Sequence, residues 1–155
     1  MGTSTLHASA VLVGRRAALI RGPSGSGKSR LTLMLIAAAD AGLLPFTRLI
    51  ADDRCHVDVA HGRLLVRPAA TLAGLLEVRG LGLRQLRFEP VALVGLVIDL
   101  CAGDARRLPG PEAQVTTIAG IALPRLAVAA GIDPTPLVLA ALRTEQFGKD
   151  GSSDR

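Results

Sequence analysis

The sequence predicts a single α/β domain, and three observations lead to that prediction. The chain has 155 residues, which is enough for one domain and little else. Hydrophobic residues make up 49% and charged residues 20% of it, so a hydrophobic core can form. Short apolar runs of strand character alternate with segments of helical periodicity, and a glycine-rich loop lies between the first strands and the first helix.

The elements can be placed in order from their spacing. Apolar runs at 10–13 and 17–20, separated by a turn at Gly14, predict a β-hairpin. A helix over 29–41 should end at Gly42. The other predicted elements are strands over 49–51, 55–59 and 63–66, a helix over 71–78, a long central strand over 91–100, strands over 115–118 and 121–128, and a helix over 134–143. The domain should cover residues 1–145, and the polar residues 146–155 should form a disordered tail.

Composition limits the classes of partner and location. Mean hydropathy is +0.40, but the longest apolar run, 91–98, is far shorter than the roughly 20 residues of a spanning helix. The first ten residues do not have the basic and apolar regions of a signal peptide, so we expect a cytoplasmic protein with no membrane partner. With scattered basic residues and no aromatic platform for bases, we expect no nucleic-acid partner. Cys55 and Cys101 do not have metal-ligand spacing and are predicted to be buried thiols in strands.

The loop before the first helix has the Walker A pattern G-x-x-x-x-G-K-S. Glycines let backbone N–H groups converge on phosphate oxygens, and the start of the helix adds its positive end. Lys28 should contact the β- and γ-phosphates of ATP, and the Ser29 hydroxyl should bind Mg²⁺. Glycine-rich connectors without a ligand are common, but Lys-Ser in register between a strand and a helix favours a nucleotide site. Its predicted residues are Gly22, Pro23, Ser24, Gly25, Ser26, Gly27, Lys28 and Ser29.

Asp52 and Asp53 follow the predicted strand 49–51, at the edge where α/β sheets place their ligands. Two adjacent carboxylates are costly there unless they share a metal or a proton. One could hold Mg²⁺ through water while the other accepts a hydroxyl proton; alternatively, the pair caps a turn.

Three further groups have an ordinary surface explanation. His7 precedes the first strand, Glu77 and Arg79 follow an apolar segment, and Arg106 and Arg107 lie in a Pro/Gly-rich loop, where they could form an anion clamp.

Taken together, four segments resemble the catalytic domain of HPr kinase/phosphorylase, a bacterial enzyme that phosphorylates a serine of the phosphocarrier protein HPr. They are His7 before the hairpin, the loop 22–29, Leu-Ile-Ala-Asp-Asp-Arg at 49–54, and Leu-Leu-Glu-Val-Arg-Gly-Leu-Gly at 75–82. The last is the most specific, because general P-loop proteins do not carry it. The resemblance covers roughly residues 6–130.

The resemblance implies roles for individual residues. Asp52 would be the general base, with Asp53 beside it, and Lys28 would clamp the phosphates. Ser29 and Glu77 would bind Mg²⁺. His7 and Arg107 would match a catalytic His and Arg of the family, with Arg106 as the alternative to Arg107.

It also implies a fold, an assembly and partners. The fold would be a P-loop core like that of phosphoenolpyruvate carboxykinase, with a mixed sheet and flanking helices, in a hexamer. ATP and Mg²⁺ would be needed, and HPr or an HPr-like phosphocarrier would be the partner. This chain would be a short form without the N-terminal domain of the family. The family has a basic stretch tied to dephosphorylation near this point. In residues 124–133 no Lys or Arg stands at the matching place, which favours the kinase over the phosphorylase direction.

Two other functions fit the same core. A kinase for small molecules would use Arg79, Arg84 and Arg107 to hold a small acid. A nucleotide-sensing regulator of a phosphotransferase system would bind ATP without turnover.

Overall fold

Eleven strands and two helices form over residues 3–146, the part of the chain that the computed structural model describes. The strands are β1 (Ser4–Leu6), β2 (Ala8–Val13), β3 (Arg16–Arg21), β4 (Thr47–Ala51), β5 (Cys55–Ala60), β6 (Arg63–Pro68), β7 (Leu75–Val78), β8 (Gly82–Gln85), β9 (Ala92–Asp99), β10 (Val115–Ile118) and β11 (Ile121–Ala127). The helices are α1 (Lys28–Asp40) and α2 (Pro134–Arg143).

Nine of the described strands join in one mixed sheet. Seven follow the order β1-β5-β6-β9-β3-β2-β4, while β11 pairs with β9 and carries β10 at its outer edge. The central strand is β9, as predicted. It runs parallel to β3 along one edge, and its other edge is divided between antiparallel β6 and parallel β11. The predicted mixed sheet with flanking helices is therefore confirmed.

The alternation of side chains along β3 divides the core into two layers. Ala17 and Leu19 point into one buried cluster, with residues of β5 and β6, so that the sheet folds over this layer. Ala18 and Ile20 point into the other cluster, which α1 and α2 cover. Because all four residues are buried, β3 is held on both faces, and the loop that follows it has a fixed starting point.

Both predicted helices at 29–41 and 134–143 are present, and each has a defined terminus. After α1, Gly42 adopts a φ of 80°, and backbone N–H groups of Gly42 and Leu43 donate to carbonyls of the last turn. At the start of α2, the Asp133 carboxylate accepts a hydrogen bond from the Thr135 N–H at 3.1 Å.

The predicted helix over 71–78 is wrong. A short 3-10 turn at Ala70–Leu72 is followed by β7, which forms a two-stranded hairpin with β8. Gly74, with a φ of 77°, breaks the helical path, and a Cβ there would lie 3.0 Å from the Phe88 ring. Residues 75–78 form a strand because they pair with the residues that follow the turn at Gly80. The apolar spacing alone could not show that pairing.

The two cysteines differ in exposure. Cys55 is buried in β5, as predicted, and burial raises the pKa of its thiol to about 12. The prediction of a buried strand position was wrong for Cys101, which is exposed just after β9.

We therefore expect iodoacetamide to alkylate Cys101 alone in the folded protein, because the thiolate is the reactive form and Cys55 is both buried and protonated at neutral pH. Peptide mass spectrometry after brief labelling tests this, with urea-unfolded protein as the control in which both thiols react. Equal labelling of the two thiols in folded protein would contradict it.

None of the described helices is long and apolar enough to cross a membrane. Of the predicted tail 146–155, only its first residue is among those described, so the domain boundary at residue 145 stays a prediction.

Candidate functional site

A cavity of about 490 Å³ opens where β3, β4 and the start of α1 meet. It lies at the carboxyl ends of β3 and β4, the edge at which the sequence predicted a ligand site. Its walls come from the phosphate loop, from the acidic pair after β4 and from the β7–β8 hairpin. The lining residues are Ser24, Gly25, Gly27, Lys28, Ser29, Arg30, Leu33, Asp52, Asp53, Glu77, Val78 and Arg79.

The phosphate loop (residues 22–29) connects β3 to α1 through two residues of left-handed backbone, Gly25 with a φ of 80° and Gly27 with a φ of 97°. Lys28 begins α1, and its side chain is 5% exposed. Its ammonium donates hydrogen bonds to the carbonyls of Gly22 (2.9 Å) and Pro23 (3.2 Å), which closes the loop around it. The loop thus carries a buried positive charge at its base, next to the start of α1, and both features favour anions.

Asp52 holds the phosphate loop against the sheet. Its Oδ1 accepts hydrogen bonds from the hydroxyls of Ser29 (2.6 Å) and Ser9 (3.0 Å), and its Oδ2 accepts one from the Glu77 N–H at 3.2 Å. Every donor comes from a different element: α1, β2 and β7. Asp52 therefore connects the loop, the sheet and the hairpin at one carboxylate.

Ser9 is a functional candidate that the sequence analysis missed. It is fully buried in β2, and its hydroxyl both donates to Asp52 and accepts from the Asp53 N–H at 3.1 Å. A lone hydroxyl in the apolar run Ala-Ser-Ala-Val-Leu-Val was the available signal, because a buried polar side chain needs a partner.

Asp53 points into a different part of the site from its neighbour. Its backbone has a φ of 60°, and its Oδ1 lies 2.6 Å from Nε2 of His7 and 3.5 Å from Nζ of Lys28. Its side chain is 61% exposed. Within residues 3–146, Oδ2 of Asp53 accepts no hydrogen bond, so one carboxylate oxygen is available to a ligand.

Glu77 lies at the rim of the cavity on β7, with an exposed side chain. Among the described residues, no three His, Cys, Asp or Glu side chains converge as a ready-made metal site. The oxygen groups of the cavity wall that could bind a metal ion are the Ser29 hydroxyl and the carboxylates of Asp52 and Glu77. An all-oxygen set with few carboxylates is typical of Mg²⁺ sites that complete their shell with phosphates and water.

Two arginines that line the cavity add positive charge. Arg79, on the turn between β7 and β8, places its Nη2 3.4 Å from where a Cβ on Gly25 would lie, and Arg30 is on the first turn of α1. The β7–β8 hairpin thus brings a guanidinium against the phosphate loop.

Arg106 and Arg107 are exposed on the loop between β9 and β10. Neither lines the cavity, and within the described part of the chain neither forms an ion pair or hydrogen bond with a predicted site residue. The structure therefore leaves Arg106 and Arg107 outside the site. The predicted residues that it brings together are His7, Lys28, Ser29, Asp52, Asp53 and Glu77.

The chain is similar in sequence to known proteins of one kind. It is 33% identical to the HPr kinase/phosphorylases of Burkholderia lata and Burkholderia cenocepacia, over 90% of this chain and 45% of each relative. The chain thus spans less than half the length of the curated relatives it matches. No protein-family model matches it.

A solved structure shares the fold. The HPr(Ser) kinase/phosphatase of Coxiella burnetii superimposes with a TM-score of 0.72 at 24% identity, over 90% of this chain and 93% of that one. The resemblance of this chain to the HPr kinase/phosphorylases is therefore confirmed, in sequence and in fold.

Proposed function

We propose that the chain is an ATP- and Mg²⁺-dependent protein-serine kinase whose substrate is HPr or an HPr-like phosphocarrier. One observation carries the proposal: a buried lysine, a loop serine and two carboxylates line one cavity at the end of the phosphate loop, and a histidine contacts one of these carboxylates. The relatives that carry the name HPr kinase/phosphorylase support the choice of reaction and partner.

The site fits a nucleotide and its metal. Lys28 and the loop N–H groups would bind the β- and γ-phosphates, and Arg79 would lie beside them. Mg²⁺, held by Ser29 and Glu77, would neutralise negative charge on the phosphates when bound. Asp52 keeps the Ser29 hydroxyl in position, because that hydroxyl donates a 2.6 Å hydrogen bond to its carboxylate.

The contacts favour Asp53 over Asp52 as the general base, which exchanges the roles that the resemblance implies. A proton on Oδ1 of Asp52 would displace the hydrogen bond from Ser29 or Ser9, and one on Oδ2 would displace that from Glu77 N–H. Asp53 lines the cavity, its side chain is more than half exposed, and its Oδ2 accepts no hydrogen bond from the described residues. Protonation of Asp53 therefore leaves the loop intact.

In the proposed transfer, the groups that the protein contributes are Asp53, Lys28 and His7. The serine oxygen of the acceptor attacks the γ-phosphorus in line, its proton passes to Asp53, and the bond to the β-phosphate oxygen breaks. Lys28 stabilises the charge that develops on the transferred group, and His7 fixes Asp53 by its 2.6 Å contact. The exposed Arg107 would have to approach the cavity with its loop in order to contribute.

Incubation of the purified chain with ATP, Mg²⁺ and HPr tests the proposal, with phosphoserine located by mass spectrometry. We expect one modified serine per HPr and none without Mg²⁺. Phosphate transfer to small acids without a protein acceptor would support the small-molecule kinase instead. Nucleotide binding without transfer to any phosphocarrier would support the regulator.

The kinase direction should exceed the phosphorylase direction, which the same assay measures when phosphorylated HPr and inorganic phosphate are supplied. Hexameric assembly and a cytoplasmic location stay predictions; light scattering and cell fractionation test them.

A further inference from the structure

One side chain closes the loop that carries Arg106 and Arg107. This arginine loop (residues 104–113) leaves the sheet after β9 and returns before β10. Arg125, on β11, donates from Nη1 to Asp104 Oδ2 (2.7 Å) and to the Ala113 carbonyl (3.0 Å), and from Nη2 to Asp104 Oδ1 (3.0 Å). Asp104 and Ala113 lie toward opposite ends of the segment between β9 and β10, so a single guanidinium joins its two sides.

The same guanidinium is tied to the residue that precedes the phosphate loop. Its Nε donates to Asp99 Oδ2 at 2.6 Å, and Asp99 also accepts two hydrogen bonds from Arg21, at 2.7 and 2.9 Å. Arg21 is the last residue of β3 and directly precedes Gly22. Arg21, Asp99, Arg125 and Asp104 therefore form a continuous chain of ion pairs from one loop to the other.

The network is well shielded at its centre. The side chains of Arg125 and Asp99 are 13% and 16% exposed. Burial alone would raise the pKa of Asp99, but the hydrogen bonds and charges of Arg21 and Arg125 outweigh it, so the pKa lies below its usual value. These are charge-assisted bonds in a partly buried place, where geometry is held more firmly than at the surface.

Backbone contacts join the same two regions. The Leu100 N–H donates to the Arg21 carbonyl at 2.8 Å, and a Cβ on Gly22 would lie 3.1 Å from the Leu100 Cβ. The first residues after β9 therefore pack on the first residue of the phosphate loop.

We propose that Arg125 is a positioning residue, which joins the two sides of the arginine loop and fixes them beside Arg21, so that Arg106 and Arg107 are carried on a closed loop. This rests on the proposed function for its catalytic meaning. The closure itself rests on the contacts of Arg125 and can be tested without any activity. A partly buried ion network is weak evidence for stability as such. A geometric role better explains why three residues supply four acceptor atoms to one guanidinium.

Trypsin tests the closure, because it cuts after Arg106 and Arg107 when the arginine loop opens. We expect Arg125→Met to accelerate the appearance of peptides that end at these residues by about ten-fold, since each 1.4 kcal/mol of lost charged hydrogen bonding gives a tenfold shift. Asp104→Asn removes one arm of the closure at a half-exposed residue and should show a smaller increase. Arg63→Met, at an exposed arginine of β6, is the matched control and should cut at the wild-type rate.

The outcomes are separable. If Arg125→Met does not fold, as judged by circular dichroism and Tm, the cleavage rate of Asp104→Asn tests the proposal. Wild-type cutting rates in every folded variant would overturn the proposal.

The catalytic meaning has its own test. Where the wild type phosphorylates HPr, Arg125→Met should lower kcat and leave the KM for ATP unchanged. In a variant that already carries Arg106→Ala and Arg107→Ala, Arg125→Met should cause no further loss of kcat. An additive loss would show that Arg125 does not act through the arginine loop. If the wild type transfers no phosphate to HPr, the proposed function is contradicted. The trypsin result would still test whether Arg125 closes the arginine loop.

Discussion

Replacing Lys28 by Met is expected to weaken ATP binding by at least about ten- to a hundred-fold, because hydrogen bonds to charged groups contribute about 1.5–3 kcal/mol each. The ammonium is the buried cation at the base of the phosphate loop and also bonds the carbonyls of Gly22 and Pro23. Its loss would remove the proposed phosphate contact and the two hydrogen bonds that close the loop. Titration calorimetry with ATP and Mg²⁺ measures the change.

Arg15→Met is the matched control for this variant, since Arg15 is an exposed residue of the turn between β2 and β3. It removes the same amount of positive charge away from the cavity and should leave the affinity unchanged. Equal losses in both variants would mean that net charge, and not the phosphate loop, governs binding. An unchanged affinity in Lys28→Met would mean that nucleotides bind elsewhere.

Asp53→Asn is expected to lower kcat for serine phosphorylation by about 10²- to 10⁴-fold, the usual contribution of a general base, while ATP still binds. Asparagine adopts the left-handed backbone of this position as readily as aspartate does, so the local fold should be kept.

Asp52→Asn should behave differently. The amide cannot accept on both sides as the carboxylate does, so it loses a bond from Ser29, Ser9 or Glu77. We expect a higher Mg²⁺ requirement and a smaller loss of kcat. Rate measurements across a Mg²⁺ titration distinguish the two variants. A larger loss of kcat in Asp52→Asn than in Asp53→Asn would mean that Asp52 is the general base.

The parts that sequence reasoning predicted well are those fixed by neighbouring residues. The phosphate loop, the start of α1 and its end at Gly42 depend on backbone freedom and periodicity within about twenty positions, and each is where it was expected. The same holds for β9, since a strand buried on both faces reads as a continuous apolar run.

The parts that failed or were missed depend on partners far along the chain. The residues of β7 looked helical because their pairing with β8 was not visible in their own spacing. The Ser9 contact with Asp52 spans 43 residues and follows from the pairing of β2 with β4. The bonds from Arg125 to Asp99 and Asp104 require β11 to lie beside β9, and no local pattern indicates that.

The left-handed turn at Asp53 also limits which amino acids could do chemistry there. A backbone φ of 60° is tolerated by Gly, Asn and Asp and disfavoured for most other side chains, above all the β-branched ones. The geometry of the peptide therefore selects the residue before its acidity matters. A variant library at this position should recover folded protein most often with Gly, Asn, Asp and His, of which Asp and His can accept a proton from a serine.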